Sequence, residues 1–392
     1  MIRPSHARVL LGPGPSNVHP RVLRALSRPL VGHLDPLFVE LMEEIQELLR
    51  FAFRTKNRLT IPISATGSAG MEACLVNLLE PGDKVIIGVN GVFGTRMMDI
   101  ARRCGAEPIA VEAPWGRIID PEDLLRVVGS NTDAKAVAVV HAETSTGVWQ
   151  PIEEIGRAIA ETETLFIVDA VTSLAGAPLH VDDWHIDACY SATQKCLSCP
   201  PGLSPVTMSE KALDVLRKRT RPVQSWYLDL SMIEKYWGSE RIYHHTAPIS
   251  MIYALAEALH LVQEEGLEAR WLRHQRHHEV LKAGLAAIGV SIAAQEGRQL
   301  WMLNSVRIPD GVDDAEVRGE LLRDYGVEIG GGLGPLKGVV WRIGLMGESS
   351  TPANVLLVIT ALERALRARG CDIEPGAGVT AAKAALEQFA PA

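Results

Sequence analysis

From about 36 to 54, within the run DPLFVELMEEIQELLRFAF that starts at Asp35, apolar residues at helical spacing behind an Asp-Pro start predict a helix. Short apolar runs then alternate with helical stretches. LTIPIS (59–64) precedes a helix over about 69–80 that closes at Pro81-Gly82. KVIIGV (84–89) precedes one over about 94–104 that closes at Gly105. AVAVVH (136–141), LFIVDA (165–170) and ACYSA (188–192) continue the series. Apolar runs separated by helices predict an α/β protein with a largely parallel sheet covered on both faces. Between 250 and 288 the pattern turns helical. SMIYALAEALHLVQEEG is apolar along one face, and RWLRHQRHHEVLKAGLAAIG resumes after a break at Gly266. A long helix there suits a connection between a large N-terminal domain and a smaller C-terminal one. WMLNSVRI (301–308), a helix near 313–325, VVWRIGL (339–345) and a helix near 352–369 read as α+β. GPGPS at 12–16 excludes helix and central strand. The expected division is an N-terminal arm over 1–18, a large domain over 19–265, a small domain over 266–375 and a tail over 376–392.

With 392 residues the chain holds about two to three domains. Apolar residues make up 47% and charged residues 22%, which excludes disorder, collagen or coiled coil as whole-chain descriptions. Lys plus Arg number 39 against 47 Asp plus Glu, a net charge of -8 with no basic block. Neither nucleic acid nor an anionic membrane is an expected partner. The short cluster Arg217-Lys218-Arg219 with Arg221 reads as solvated surface. No apolar run reaches the roughly 18–20 residues that cross a bilayer. The first residues lack the pattern of a signal peptide, so a cytoplasmic protein is expected. Cysteines 74, 104, 189, 196, 199 and 371 are thinly spread, as free thiols in a reducing compartment would be. Cys196 and Cys199 form one C-x-x-C with no second pair at zinc spacing. They read as small residues packed in a turn, and no metal site is expected.

Open α/β sheets place ligands at the carboxyl ends of their strands, so polar residues just past the apolar runs carry the functional argument. Thr66, Gly67 and Ser68 follow LTIPIS and open a helix, where backbone amides and the helix dipole favour an anion. A plain strand-to-helix turn capped by Thr66 would look the same. There is no Gly-Lys-Ser/Thr, so this is not a nucleotide P-loop. Asp169 ends LFIVDA, where it suits a protonated ring nitrogen or simply a turn. Lys195, in SATQKCLSCPPG, suits a Schiff base with an aldehyde cofactor, although most lysines are surface charge. Arg342 interrupts an apolar strand, and its planar fork suits a carboxylate or a structural ion pair. YHHTAP (243–248) clusters polar and aromatic groups before a long helix, and His274, His277 and His278 read as one solvated helix region. Taken together these positions describe a pyridoxal phosphate site: phosphate cradle, ring-nitrogen acid, Schiff-base lysine and carboxylate-binding arginine.

At this point the chain resembles the class V, fold type I aminotransferases, and within them the alanine:glyoxylate and serine:pyruvate group. The motifs are GPGPSNVHPRVL (12–23), ATGSAGMEACLVNLLEPGDKV (65–85), HAETSTGVWQP (141–151), LFIVDAVTSLAG (165–176), SATQKCLSCPPG (191–202), YHHTAP (243–248), GGLG (331–334) and WRIGLMG (341–347). The resemblance implies a large domain with a mostly parallel seven-stranded sheet and a smaller α+β C-terminal domain. It implies that Lys195 bonds the cofactor, Asp169 pairs with its ring nitrogen, and Gln194 and Thr144 lie near its phenolic oxygen. Phe93 stands where relatives often stack a Trp on the ring. Thr66, Gly67 and Ser68 match the phosphate loop, where some relatives have His at Ser68. Tyr243 and Thr246 match residues that reach the phosphate from the other subunit, which implies a homodimer, with residues 1–18 as an arm over the partner. Arg342 matches the arginine for the substrate α-carboxylate, and with no second arginine evident for a distal carboxylate, small substrates are implied. The expected reaction is ping-pong transfer of an amino group from alanine or serine to glyoxylate or pyruvate.

Three rivals frame that expectation. Cysteine desulfurases place His before the lysine, where this chain has Gln194, and use a late mobile-loop cysteine, for which only Cys371 stands here. Ureidoglycine–glyoxylate aminotransferases resemble several stretches but carry amide side chains where this chain has His33 and Tyr243. A non-catalytic scaffold would be expected to have lost at least one of Lys195, Asp169 and Arg342.

Overall fold

Asp35 caps the helix Pro36–Phe53, its carboxylate accepting the Leu37 amide while proline fills the first turn. Phe38, Met42, Ile45, Leu49 and Phe53 then bury one face. A computed structural model describes residues 7–389. Residues 1–6 of the expected arm and 390–392 of the expected tail lie outside the described residues.

The strands in chain order begin with β1 (Val9–Leu10), β2 (Leu59–Ile63), β3 (Lys84–Val89), β4 (Glu107–Glu112), β5 (Ala136–Val140), β6 (Ala142–Glu143) and β7 (Val148–Trp149). They continue with β8 (Leu165–Asp169), β9 (Ala188–Tyr190), β10 (Ser204–Met208), β11 (Leu303–Arg307), β12 (Val327–Glu328), β13 (Gly330–Gly331) and β14 (Val340–Gly344). Seven of them form one sheet in the order β2-β10-β9-β8-β5-β3-β4. All its pairings are parallel except those of β10, which runs antiparallel to both neighbours. β2, β5 and β8 are buried along their whole length, as strands with helices on both faces must be. β10 contains Pro205 directly opposite Pro62 of β2. Pro205 has no N–H to give the Ser191 carbonyl just past β9, and Ser204 Oγ donates to that carbonyl instead at 2.6 Å.

The helices expected to start near 69 and 94 begin earlier, at Gly67–Leu78 and Val92–Arg103. The chain passes almost directly from strand to helix, so both helix N-termini lie at the carboxyl edge of the sheet.

Two large apolar cores divide the interior. One runs from Val22 to Trp271 and encloses the large sheet. The other joins Leu11 to Val280, Leu285, Val306, Leu321, Trp341, Ile343, Ile359 and Leu362, around the three-stranded antiparallel sheet β11-β14-β13. The helix Leu267–Ala287 serves both, with Leu267 and Trp271 in the first and Val280 and Leu281 in the second.

Its three histidines correct the sequence expectation. His274, His277 and His278 are not solvated but 0%, 6% and 2% exposed. His274 donates from Nδ1 to the Arg270 carbonyl at 2.7 Å and accepts the Gly347 amide at Nε2 at 2.9 Å. His277 meets Ser350 Oγ at 2.9 Å, and His278 meets Asn304 Oδ1 at 2.6 Å. Each buried ring has a specific partner, which is what makes burial of a polar group tolerable. Burial lowers the pKa of all three. Among the described residues no helix is long and apolar enough to cross a membrane.

Candidate active site

Five connections at the carboxyl edge of the large sheet carry the polar residues. The turn after β2 ends in Thr66, which stands at the N-cap of Gly67–Leu78 without making a side-chain cap bond. The amides of Gly67 and Ser68, in the first turn, have no intrahelical acceptor. Thr66 and Ser68 are exposed.

Asp169 is the last residue of β8 and is 2% exposed. Its Oδ1 accepts the Val171 amide at 2.8 Å and its Oδ2 the Tyr190 hydroxyl at 3.0 Å. Burial nevertheless pushes the carboxyl up to about 7, the two hydrogen bonds offsetting only part of the desolvation.

Lys195 lies in the connection from β9 to β10, which turns back into the sheet through Ser198 at φ 51. The lysine is 9% exposed, and burial lowers its amine to about 8, with the nearby Arg342 cation pushing the same way. Its Nζ donates to the Pro13 carbonyl. Gly14, at φ 102, passes so close that a Cβ there would come within 2.8 Å of Nζ. Ser16 completes this cover, its amide donating to the Gln194 carbonyl at 2.9 Å and its hydroxyl to the Lys195 carbonyl at 2.9 Å. Gln194 Oε1 is buried with no hydrogen-bond partner among the described residues.

Arg342 comes from the other unit, on the central strand of its small sheet. Nε donates to the Gly331 carbonyl at 2.8 Å and Nη1 to the Thr144 carbonyl at 3.2 Å, so the guanidinium bridges the two units. Burial brings its pKa down to about 10, with Glu143 acting against that. Glu143 is fully buried and raised by desolvation. It accepts the Phe93 amide at 3.0 Å and the Ser145 amide and hydroxyl at 3.0 and 2.6 Å. That carboxylate seats the first turn of Val92–Arg103 and with it the half-buried Phe93 ring.

The structure therefore brings Lys195, Asp169, Gln194, Thr144, Phe93, the loop 66–68 and Arg342 to one edge. Tyr243 and Thr246 are exposed, and no hydrogen bond among the described residues joins them to that edge. The Tyr243 ring lies 5.1 Å from His33, and its hydroxyl is 3.4 Å from Thr246 Oγ1. The sequence reading did not single out Glu143 or Tyr190. Glu143 lay in the motif HAETSTG and Tyr190 in a run read as apolar, and only the fold shows both touching site residues. Cys196 and Cys199 are buried free thiols in the lysine turn. No group of three or more metal-ligating residues exists among the described residues.

The family model for aminotransferase class V matches residues 10–339. The (S)-ureidoglycine–glyoxylate transaminase of Bacillus subtilis is 43% identical over 96% of this chain and 94% of its own length. The alanine–glyoxylate aminotransferase of Drosophila melanogaster is 39% identical over 92% of this chain and 93% of that protein. A crystal structure of alanine–glyoxylate aminotransferase from Nostoc sp. superposes with a TM-score of 0.91 at 49% identity, covering 94% of this chain and 98% of that one. The chain belongs to the class V aminotransferases and has their α/β fold, as its motifs implied.

Proposed function

We propose that this class V aminotransferase uses pyridoxal 5'-phosphate to move the amino group of alanine or serine to glyoxylate or pyruvate by a ping-pong mechanism. The observation that carries the reading is the convergence of Lys195, Asp169 and Arg342, all buried, from two units of the fold.

The residues present fit the cofactor. Gln194 Oε1 is a buried acceptor with nothing to accept, and the loop 66–68 offers first-turn amides and an uncommitted Thr66 hydroxyl. Asp169 is a buried carboxylate to which no cation among the described residues hydrogen-bonds. A phenol, a phosphate monoester and a protonated ring nitrogen would answer those needs. When bound, pyridoxal phosphate supplies an aldehyde that exchanges amines and a ring that draws off the electrons left when an α-proton departs.

The chain's own groups then divide the work. Lys195 would hold the aldehyde end, and an amine near pKa 8 moves a proton at Nζ in either direction near neutrality. Asp169 keeps a proton on the ring nitrogen, whose positive charge in return holds the carboxylate ionised. Gln194 and Thr144 orient the phenolic side, and Phe93 covers a ring face and excludes water. Thr66, Gly67 and Ser68 bind the phosphate, joined by Tyr243 and Thr246 of a second copy in a homodimer. Exposed Leu30, Leu34, Leu37 and Ile242, grouped in sequence near His33 and Tyr243, suit such a contact. Arg342 binds the α-carboxylate with its fork, against the Gly331 and Thr144 carbonyls that hold it in plane. Free, mostly buried cysteines suit a cytoplasmic setting.

Similarity to the Bacillus subtilis protein makes ureidoglycine the second donor to test. The packed rings of His33 and Tyr243 favour alanine or serine, because they offer no amide to a ureido group. The test is the visible absorption of protein loaded with pyridoxal phosphate. Alanine or serine should remove the band of the lysine-bound cofactor, and glyoxylate or pyruvate should restore it. A band that responds to ureidoglycine alone would move the assignment there, and one indifferent to all three donors would sink it. Arg342→Ala should leave that band in place while lowering kcat/KM by about a hundredfold, the scale of a lost charged hydrogen-bond pair.

A further inference from the structure

From the position and free donors of Arg96, we infer that it is the cationic partner of the cofactor's phosphate monoester dianion, an inference that rests on the cofactor reading above. Arg96 lies on the helix Val92–Arg103, one turn past Phe93. Its Nη1 donates to Ser68 Oγ at 3.0 Å, and its guanidinium sits 4.9 Å from the Phe93 ring centroid. One side chain thus touches the phosphate loop and the ring platform together. It makes no ion pair among the described residues, whereas Arg103 on the same helix is held by Asp99. Its other guanidinium N–H groups have no acceptor among the described residues, beside a cavity of about 460 Å³ lined also by Ser68, Glu72, Arg103 and Gln224.

Charge balance supports the assignment. A phosphate monoester carries about 1.5 to 2 negative charges at neutral pH. A helix N-terminus offers the equivalent of about half a positive charge. Thr66, Gly67, Ser68, Tyr243 and Thr246 are neutral. His245, whose Nε2 lies 2.7 Å from Ser64 Oγ beside the loop, is lowered to about 4 by burial and is uncharged at pH 7. Lys195 is committed to the aldehyde. Arg96 alone among these groups brings a full positive charge, and the planar fork adds a second donor to the same oxygens.

The test compares pyridoxal phosphate with pyridoxal, which lacks the phosphate, by equilibrium binding to cofactor-free protein. Arg96→Met should weaken pyridoxal phosphate about ten- to a hundredfold while changing pyridoxal less than twofold. Arg96→Lys should recover most of the loss, which also controls for folding. Equal weakening of both ligands would mean that Arg96 only steadies Phe93, and no weakening of either would mean that it does not reach the phosphate. Each result overturns the inference and leaves the cofactor reading standing. Wild-type protein that binds neither ligand would overturn both.

Discussion

The Tyr190 hydroxyl donates to Asp169 Oδ2 at 3.0 Å, from the strand next to the one that Asp169 ends. The parallel register sets Tyr190 directly beside Asp169. The tyrosine is fully buried and its own pKa is raised well above 10.0, so it stays a donor at every working pH. A hydrogen bond to a charged group contributes about 1.5–3 kcal/mol. Tyr190→Phe should therefore lower kcat by about tenfold or more and move the acidic limb of the pH–rate profile upward. An unchanged acidic limb would remove Tyr190 from the tuning of Asp169.

Without cofactor, the Asp169 carboxyl is a cost. Its pKa is about 7 in the folded chain against 3.8 for a free aspartate carboxyl. The folded state holds the proton to higher pH, so this group's contribution to stability is full below 3.8 and is lost as pH rises to about 7. The difference is on the order of 4 kcal/mol. Cofactor-free Asp169→Asn should be more stable than wild type at pH 8 and level with it near pH 4, as read by denaturant unfolding. Cofactor should reverse the order, since the ring-nitrogen cation then has its partner only in wild type.

Lys195, near pKa 8, sets the rate at which cofactor is captured. Only the unprotonated amine attacks an aldehyde. Stopped-flow growth of the visible band should quicken about tenfold per pH unit below 8 and level off above it. Lys195→Ala should give no such band and no turnover. A rate still climbing steeply at pH 10 would mean that the lysine is not desolvated.

Gly347 adopts φ 51, and a Cβ there would come within 2.0 Å of Ser198 Oγ and 2.7 Å of the Cys196 carbonyl. Gly347→Ala should destabilise the fold by about 1–3 kcal/mol through overpacking and strain. Because the displaced atoms belong to the lysine turn, the visible band should also shift or broaden. A lower Tm with an unaltered band would show that the turn absorbs the intrusion before it reaches Lys195.

Local pattern carried much of this architecture. The helix Pro36–Phe53 announces itself through an Asp-Pro cap and a periodic apolar face. β5 and β8 do so through unbroken apolar runs. The end of β8 was therefore legible, and Asp169 with it. What pattern misses is contact across long separations. β10 holds a proline that is tolerated because Ser204 Oγ serves the Ser191 carbonyl, a contact no local pattern shows. His274, His277 and His278 read as solvent-facing because their partners, Gly347, Ser350 and Asn304, are far along the chain. Glu143 is one acid in a small polar motif until the fold sets Phe93 and Ser145 against it.

The segment from β1 to Ser16 docks on partners far along the chain. Val9 and Leu10 pair with Val327 and Glu328, and the Gly344 amide donates to the Leu11 carbonyl. All of those partners lie in the final fifth of the chain. Contacts of such long separation form slowly and late. Until they form, Ser16 has no anchor on the near side from which to hold the Lys195 carbonyl. A chain cut before about residue 344 would thus bury its large sheet yet lack a finished pocket around the lysine.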